Sequence, residues 1–126
     1  MEGGVTVFPS EPDGTMTNDP QLDLLRGTLD LLVLKTLSWG PAHGYSVARW
    51  IQALTDDVLQ VGEGSLYPAL HRLEEKGWVE SEWKRSENNR KAKYYRLTAA
   101  GRRQLESEIG EWKRVSLAIT FALQSA

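Results

Sequence analysis

The sequence predicts a mainly α chain carrying one small β-hairpin, and three observations lead there. Apolar residues recur at helical spacing over four separate stretches. Gly and Pro punctuate those stretches at short intervals. Between the third and the last stretch, the aromatic, partly alternating runs "WVESEWKRS" and "KAKYYRLT" flank "ENNR", which is the chemistry of two strands and a turn.

The bulk numbers narrow the class. At 126 residues the chain is one domain by length, with a core of modest size. It has no cysteine, so a disulfide framework, a thiolate metal site and a Cys nucleophile are excluded, and a reducing cytoplasm suits it. "LDLLVLKTLSW" is the most apolar stretch, but Asp30 and Lys35 interrupt it and it is too short to span a bilayer. Net charge is −2, which gives no overall pull toward nucleic acid. The distribution does. Lys84, Arg85, Arg90, Lys91, Lys93 and Arg96 stand against Glu87 alone, while acids gather around Asp56, Asp57 and Glu63 and from Glu106 to Glu111.

Taken in order, residues 1–20 are rich in Gly, Pro, Asp and Thr and lack periodicity, so they read as a flexible arm, with Met16 an equally good start. The first helix runs from about Leu22 or Thr28 to Trp39 and stops at Gly40-Pro41. Leu29, Leu31, Leu32, Val33, Leu34 and Leu37 leave it almost no polar face, so it needs cover on several sides. A second subunit would supply part of that cover, at Leu29 and Leu32. The second helix, about Gly44 to Thr55, gathers Val47, Ala48, Ile51 and Leu54 on one side, and His43 helps to start it.

After a turn over "DDVLQVGEG", Ser65 is placed to cap a third helix from about Leu66 to Lys76, with Pro68 in its first turn and Gly77 closing it. Its Leu66, Ala69, Leu70 and Leu73 form the packing side, while Ser65, Tyr67, Pro68, His71, Arg72 and Glu75 face away. The hairpin follows, with basic residues near its tip. Thr98 then caps a last helix reaching about Leu123. Leu105, Ile109, Trp112, Ile119 and Leu123 repeat at four- and three-residue steps, with Ser116 filling the gap. Such a seam, on a helix longer than this core requires, calls for a partner.

This order of elements is a winged helix-turn-helix: residues 21–97 form the DNA-binding domain, with a two-stranded β-wing, and residues 98–126 form a long C-terminal dimerisation helix. A short helix with polar groups near its N-terminus suits the major groove. Ser65 and Tyr67 are candidates for phosphate or base contacts, with Pro68 and His71 beside them, and Arg72 for a phosphate or a guanine edge. Lys84, Arg85, Arg90, Lys91 and Lys93 would neutralise backbone phosphates from the wing.

"LRGTLDLLVLKTLSWGPAHGYSVARWI", "GEGSLYPALHRLEEKGWVES" and "RKAKYYRLTAAGRRQL" together resemble the PadR family of bacterial transcriptional regulators. The family's Gly-Pro-x-His-Gly-Tyr is matched at Gly40 to Tyr45. Its Gly-x-Leu-Tyr-Pro-x-Leu-x-Arg-Leu-Glu is matched at Gly64 to Glu74, and its Tyr-x-Leu-Thr-x-x-Gly at Tyr95 to Gly101. The resemblance covers residue 24 to about residue 120. It implies a cytoplasmic homodimer, usually a repressor, joined through the last helix and binding double-stranded DNA at a pseudo-palindromic operator. The single short final helix is like that of the small subfamily. In some of its members an aromatic residue of that helix lines a ligand cavity at the interface, and Trp112 stands in a similar position. Trp112 is therefore an interface residue first and a candidate contact for a small aromatic effector second. The arm is longer than in such members, and nothing is carried over to it.

The competing readings are weaker. His43 and His71 have no partner at metal-ligand spacing, and no nucleophile, base and orienting acid stand in a catalytic pattern, so neither an enzyme nor a metal protein is expected. A winged helix used only for protein–protein contact would leave the basic hairpin and the Tyr67–Arg72 face without a role.

Overall fold

The computed structural model describes residues 20–85 and 87–125, with side chains from Gly27 onward; residues 1–19, most of the expected arm, lie outside the described residues. The elements are α1 (Pro20–Leu37), β1 (Ala42–His43), α2 (Gly44–Leu54), α3 (Glu63–Glu75), β2 (Val79–Arg85), β3 (Lys91–Leu97) and α4 (Ala99–Gln124). Helices α1, α2 and α3 pack around Val33, Leu34, Leu37, Val47, Ile51, Leu66, Leu70 and Leu73, and the sheet closes the core with Val79, Tyr95 and Leu97.

Helix α1 stops two residues before the expected Trp39. Its last turn tightens as Ser38, Trp39 and Gly40 donate to the carbonyls of Lys35, Thr36 and Leu37, and Gly40 then takes a φ of 146° that only glycine adopts easily. Helix α2 begins as expected at His43, whose Nδ1 accepts from the Ser46 amide at 3.3 Å.

Helix α3 starts earlier than Ser65. Gly62 occupies the cap position, its carbonyl accepts from Leu66 at 2.9 Å, and no side chain caps the helix. Glu63 sits in the first turn instead, where a carboxylate is favoured by the free amides and the helix dipole. Pro68 consequently lies a turn deeper than expected, and the Gly64 carbonyl lacks its usual donor four residues on. At the other end, Gly77 (φ 78°) donates to Glu74 and Trp78 donates back to Leu73, a Schellman closure.

The sheet has three strands, where the sequence indicated two. β1 pairs antiparallel with the free edge of β3, Ala42 opposite Tyr95 and His43 opposite Tyr94, giving the order β1-β3-β2. Two residues were too few to carry a strand signal of their own. β2 and β3 pair from Val79 opposite Leu97 to Arg85 opposite Lys91, and Asn89 takes the positive φ of the connecting turn.

Helix α4 is fixed at its root. The Thr98 hydroxyl accepts from the Gly101 amide at 3.0 Å and donates to the Gly77 carbonyl at 2.7 Å, while the Thr98 amide donates to Trp78. Gly101 packs so closely there that a Cβ would run into the Trp78 carbonyl. Among the described residues no helix is long and apolar enough to cross a membrane.

Candidate nucleic-acid interface

The outward face of α3 follows from its buried one. With Leu66, Ala69, Leu70 and Leu73 in the core, the helix turns Gly64, Pro68, His71 and Glu75 to solvent. His71 Nε2 lies 3.2 Å from Glu75, a pair exposed along the helix surface. Tyr67 stands on the flank nearest α2, 42% exposed, with its ring against Gly44; a Cβ on Gly44 would meet the Tyr67 ring at 2.8 Å. The half-exposed phenol thus rests its hydroxyl end against Gly44.

Arg72 departs from the expected outward placement. Its Nη2 binds Asp30 of α1 at 2.7 Å, and its Nε is buried without a hydrogen-bond partner. Ser65, two turns earlier on the same flank, is likewise partly buried. The sequence period could not separate a flank turned toward α1 from the face turned to solvent, because Asp30 stands far away in the chain.

The wing divides its charges between its two faces. Side chains opposite one another across an antiparallel pair share a face, and alternate residues change face. Arg85, Lys91 and Lys93 therefore stand with Val79, Tyr95 and Leu97, on the face against which α3 packs. Glu80, Glu82, Lys84, Tyr94 and Arg96 take the other face. There Arg96 pairs with Glu80 at 2.9 Å and reaches Glu82 at 3.7 Å, and the Lys84 Nζ lies 5.2 Å from the Tyr94 ring centroid. Arg85 donates to the Asn89 carbonyl at 3.0 Å, bracing the turn, and Arg90 is exposed within that turn. Most of the basic side of the wing and the polar side of α3 thus open onto one surface.

The junction between them is tied. Ser81 of β2 donates to Glu74 of α3 at 2.6 Å. Tyr95 beneath it has its pKa raised, first by burial and then by the Glu74 carboxylate, with Tyr67 acting in the same direction once ionised, so its phenol keeps its proton.

Three residues that the sequence pattern did not single out belong to this surface. Tyr45 and Arg49 line, with Glu63, Leu66 and Tyr67, a groove of about 560 Å³ between α2 and α3. Arg49 lies over the Tyr45 ring at 5.6 Å. Their i, i+4 spacing, on the side of α2 away from Val47 and Ile51, was the signal available. Trp83, directly opposite Lys93 and largely exposed, is the third.

The expected dimer seam also splits. Leu105 is 6% exposed and belongs to the protomer's own core, because the first turns of α4 lie on α1; its assignment to the interface is corrected. Ile109, Leu29 and Leu32 are partly buried at the margin of that core. Trp112 (49% exposed), Ile119 and Leu123 (80% exposed) project beyond it, together with Leu117 and Phe121. Among the described residues no group of His, Asp and Glu is arranged to hold a metal ion.

Comparison with known proteins identifies the family. The model of the transcriptional regulator PadR-like family matches residues 33–107. A transcriptional regulator of Mycobacterium tuberculosis is 36% identical over 84 residues, 66% of this chain and 74% of that one. The crystal structure of a PadR family transcriptional regulator from Eggerthella lenta superposes with a TM-score of 0.69 at 34% identity, covering 84% of this chain and 90% of that chain. A PadR-like regulator from Bacillus cereus gives 0.71 at 31% identity, covering 82% and 99%. The chain belongs to the PadR-like family of transcriptional regulators, DNA-binding winged-helix proteins that are not enzymes.

Proposed function

We propose that this regulator is a cytoplasmic homodimer that represses transcription by occupying a pseudo-palindromic operator. Each α3 enters a major groove, with half-sites about one turn of DNA apart, and each wing lies along the flanking backbone. The observation that carries this reading is the sorting of charge on the wing. Arg85, Lys91 and Lys93 share the face of α3, whereas the acids of β2 are engaged by Arg96 on the reverse.

Tyr67 and His71 are the base-reading candidates, with Pro68 shaping the approach. Tyr45 and Arg49 meet the backbone beside them, where the first helix of such a motif crosses it. The dimer forms through the distal half of α4, with Trp112, Ile119 and Leu123 as its apolar contacts and Ile109, Leu29 and Leu32 at its margin. A planar aromatic molecule stacked on Trp112 would act as effector by preferring one separation of the two α3 helices over another.

Transcription in vitro from the promoter of the protein's own gene tests the repressor role. Transcript should fall as protein is added, over the range in which the promoter fragment becomes bound. Rising transcript, or unchanged transcript on a fully bound promoter, overturns it.

A further inference from the structure

Within α3, Arg72 is the basic side chain, and it is spent inside the protein. Its guanidinium reaches α1, where Nη2 meets Asp30 Oδ1 at 2.7 Å. Both side chains are largely covered, 28% exposed for Arg72 and 14% for Asp30. Nε is buried without a partner, so the group is held in one direction by a single carboxylate rather than gripped all round. An arrangement that leaves a buried donor unpaired is costly to keep, and packing alone would be served as well by an apolar pair. What the ion pair supplies is direction. It joins the middle of α1 to the last turn of α3, and on α1 Asp30 lies between Leu29 and Leu32, which border the proposed interface.

We infer that Asp30–Arg72 is a positioning pair that sets the pitch of α3 on α1, and so the spacing and tilt of the two recognition helices in the dimer. The inference rests on the DNA-binding reading above. Arg72 reads no base and neutralises no phosphate; it determines specificity through the helix that carries it. Tyr67 and Ser81–Glu74 hold the opposite flank of α3 against α2 and the wing. Asp30–Arg72 holds the flank toward α1, and with both in place the helix cannot roll.

A double-mutant cycle on the full chain tests this with Asp30→Asn, Arg72→Gln and the two combined. Circular dichroism and light scattering confirm fold and assembly. Each single change should weaken binding to a duplex from upstream of the protein's own gene about tenfold, and the combination should be no worse than the weaker single variant. Binding to a scrambled duplex and the salt dependence on both should stay as in the unaltered protein. Asp30→Glu, which keeps the charge, should restore most of the loss. Two results overturn the inference. In one, Asp30→Asn binds normally while Arg72→Gln loses affinity on both duplexes with a flatter salt dependence, which makes Arg72 a direct phosphate contact. In the other, the two losses simply add.

If the unaltered protein prefers neither duplex, the regulator reading fails, and hydrogen exchange without DNA then decides on the pair. Faster exchange of the α3 amides from Leu66 to Glu75 in Asp30→Asn, recovered in Asp30→Glu, supports it. Unchanged exchange rejects it.

Discussion

At the scale of single residues, neighbours with similar chemistry do different work according to what faces them. Tyr67 and Tyr95 lie close enough to act on one another, yet Tyr95 is closed into the core and Tyr67 is half-exposed. Tyr67→Ala is therefore expected to weaken the preferred duplex by about 1–3 kcal/mol more than a scrambled one, the size of a base contact. Fluorescence anisotropy on the two duplexes checks this, and equal losses would remove Tyr67 from readout. Arg90→Ala with Lys91→Ala should instead weaken all DNA alike. The slope of log affinity against log salt should also fall by about one for each phosphate no longer neutralised. Much of this division was legible in the sequence, because helix and strand periods sort side chains by face. Arg72 was not, because a period places a residue on a flank but does not reveal a carboxylate waiting there from another helix.

At the scale of elements, the ends of the helices carry the information that joins them. The Schellman closure at Gly77, the Thr98 cap and the contact at Gly101 tie α3, the wing and the root of α4 into one piece. Gly101→Ala would drive a methyl into the Trp78 carbonyl. It is expected to cost about 1–3 kcal/mol of stability, or more if the helix must shift, measured by urea denaturation. Gly77→Ala, at a φ of 78°, should cost about 1 kcal/mol. The caps at His43 and Thr98 could be read from sequence, since each stands directly before a helical pattern. The start of α3 could not. Ser65 has the better capping side chain, but the helix begins at Glu63 with Gly62 at the cap position, so Ser65 lies inside the first turn and Leu66 is buried in the core. β1 was missed as well. It is a strand only because β3 offers an edge.

At the scale of the whole molecule, α4 is a lever rooted in the DNA-binding domain and apolar where it leaves it. Its seam was visible as a four- and three-residue repeat, but the repeat does not tell which part of the seam the protomer uses for itself. Leu105 is taken by the core; Trp112, Ile119 and Leu123 are left outward. Ile119→Asp with Leu123→Asp should give a folded monomer in light scattering, with the helical signal of the domain retained. Such a monomer should also bind a full operator far more weakly than the dimer, because each half-site alone forgoes the gain from joining two contacts. Movement at Trp112 would travel through the fixed root of α4 into α3 and the wing together.

The central claim, a dimer reading a particular DNA sequence with α3 and holding the backbone with the wing, is tested most directly by one titration. Fluorescence anisotropy would follow binding to a duplex from upstream of the protein's own gene and to its scrambled counterpart, across a series of salt concentrations. The account predicts tighter binding to the upstream duplex, two protomers per duplex, and affinity that falls steeply with salt on both. Equal, weak binding to the two duplexes, or affinity indifferent to salt, would contradict it.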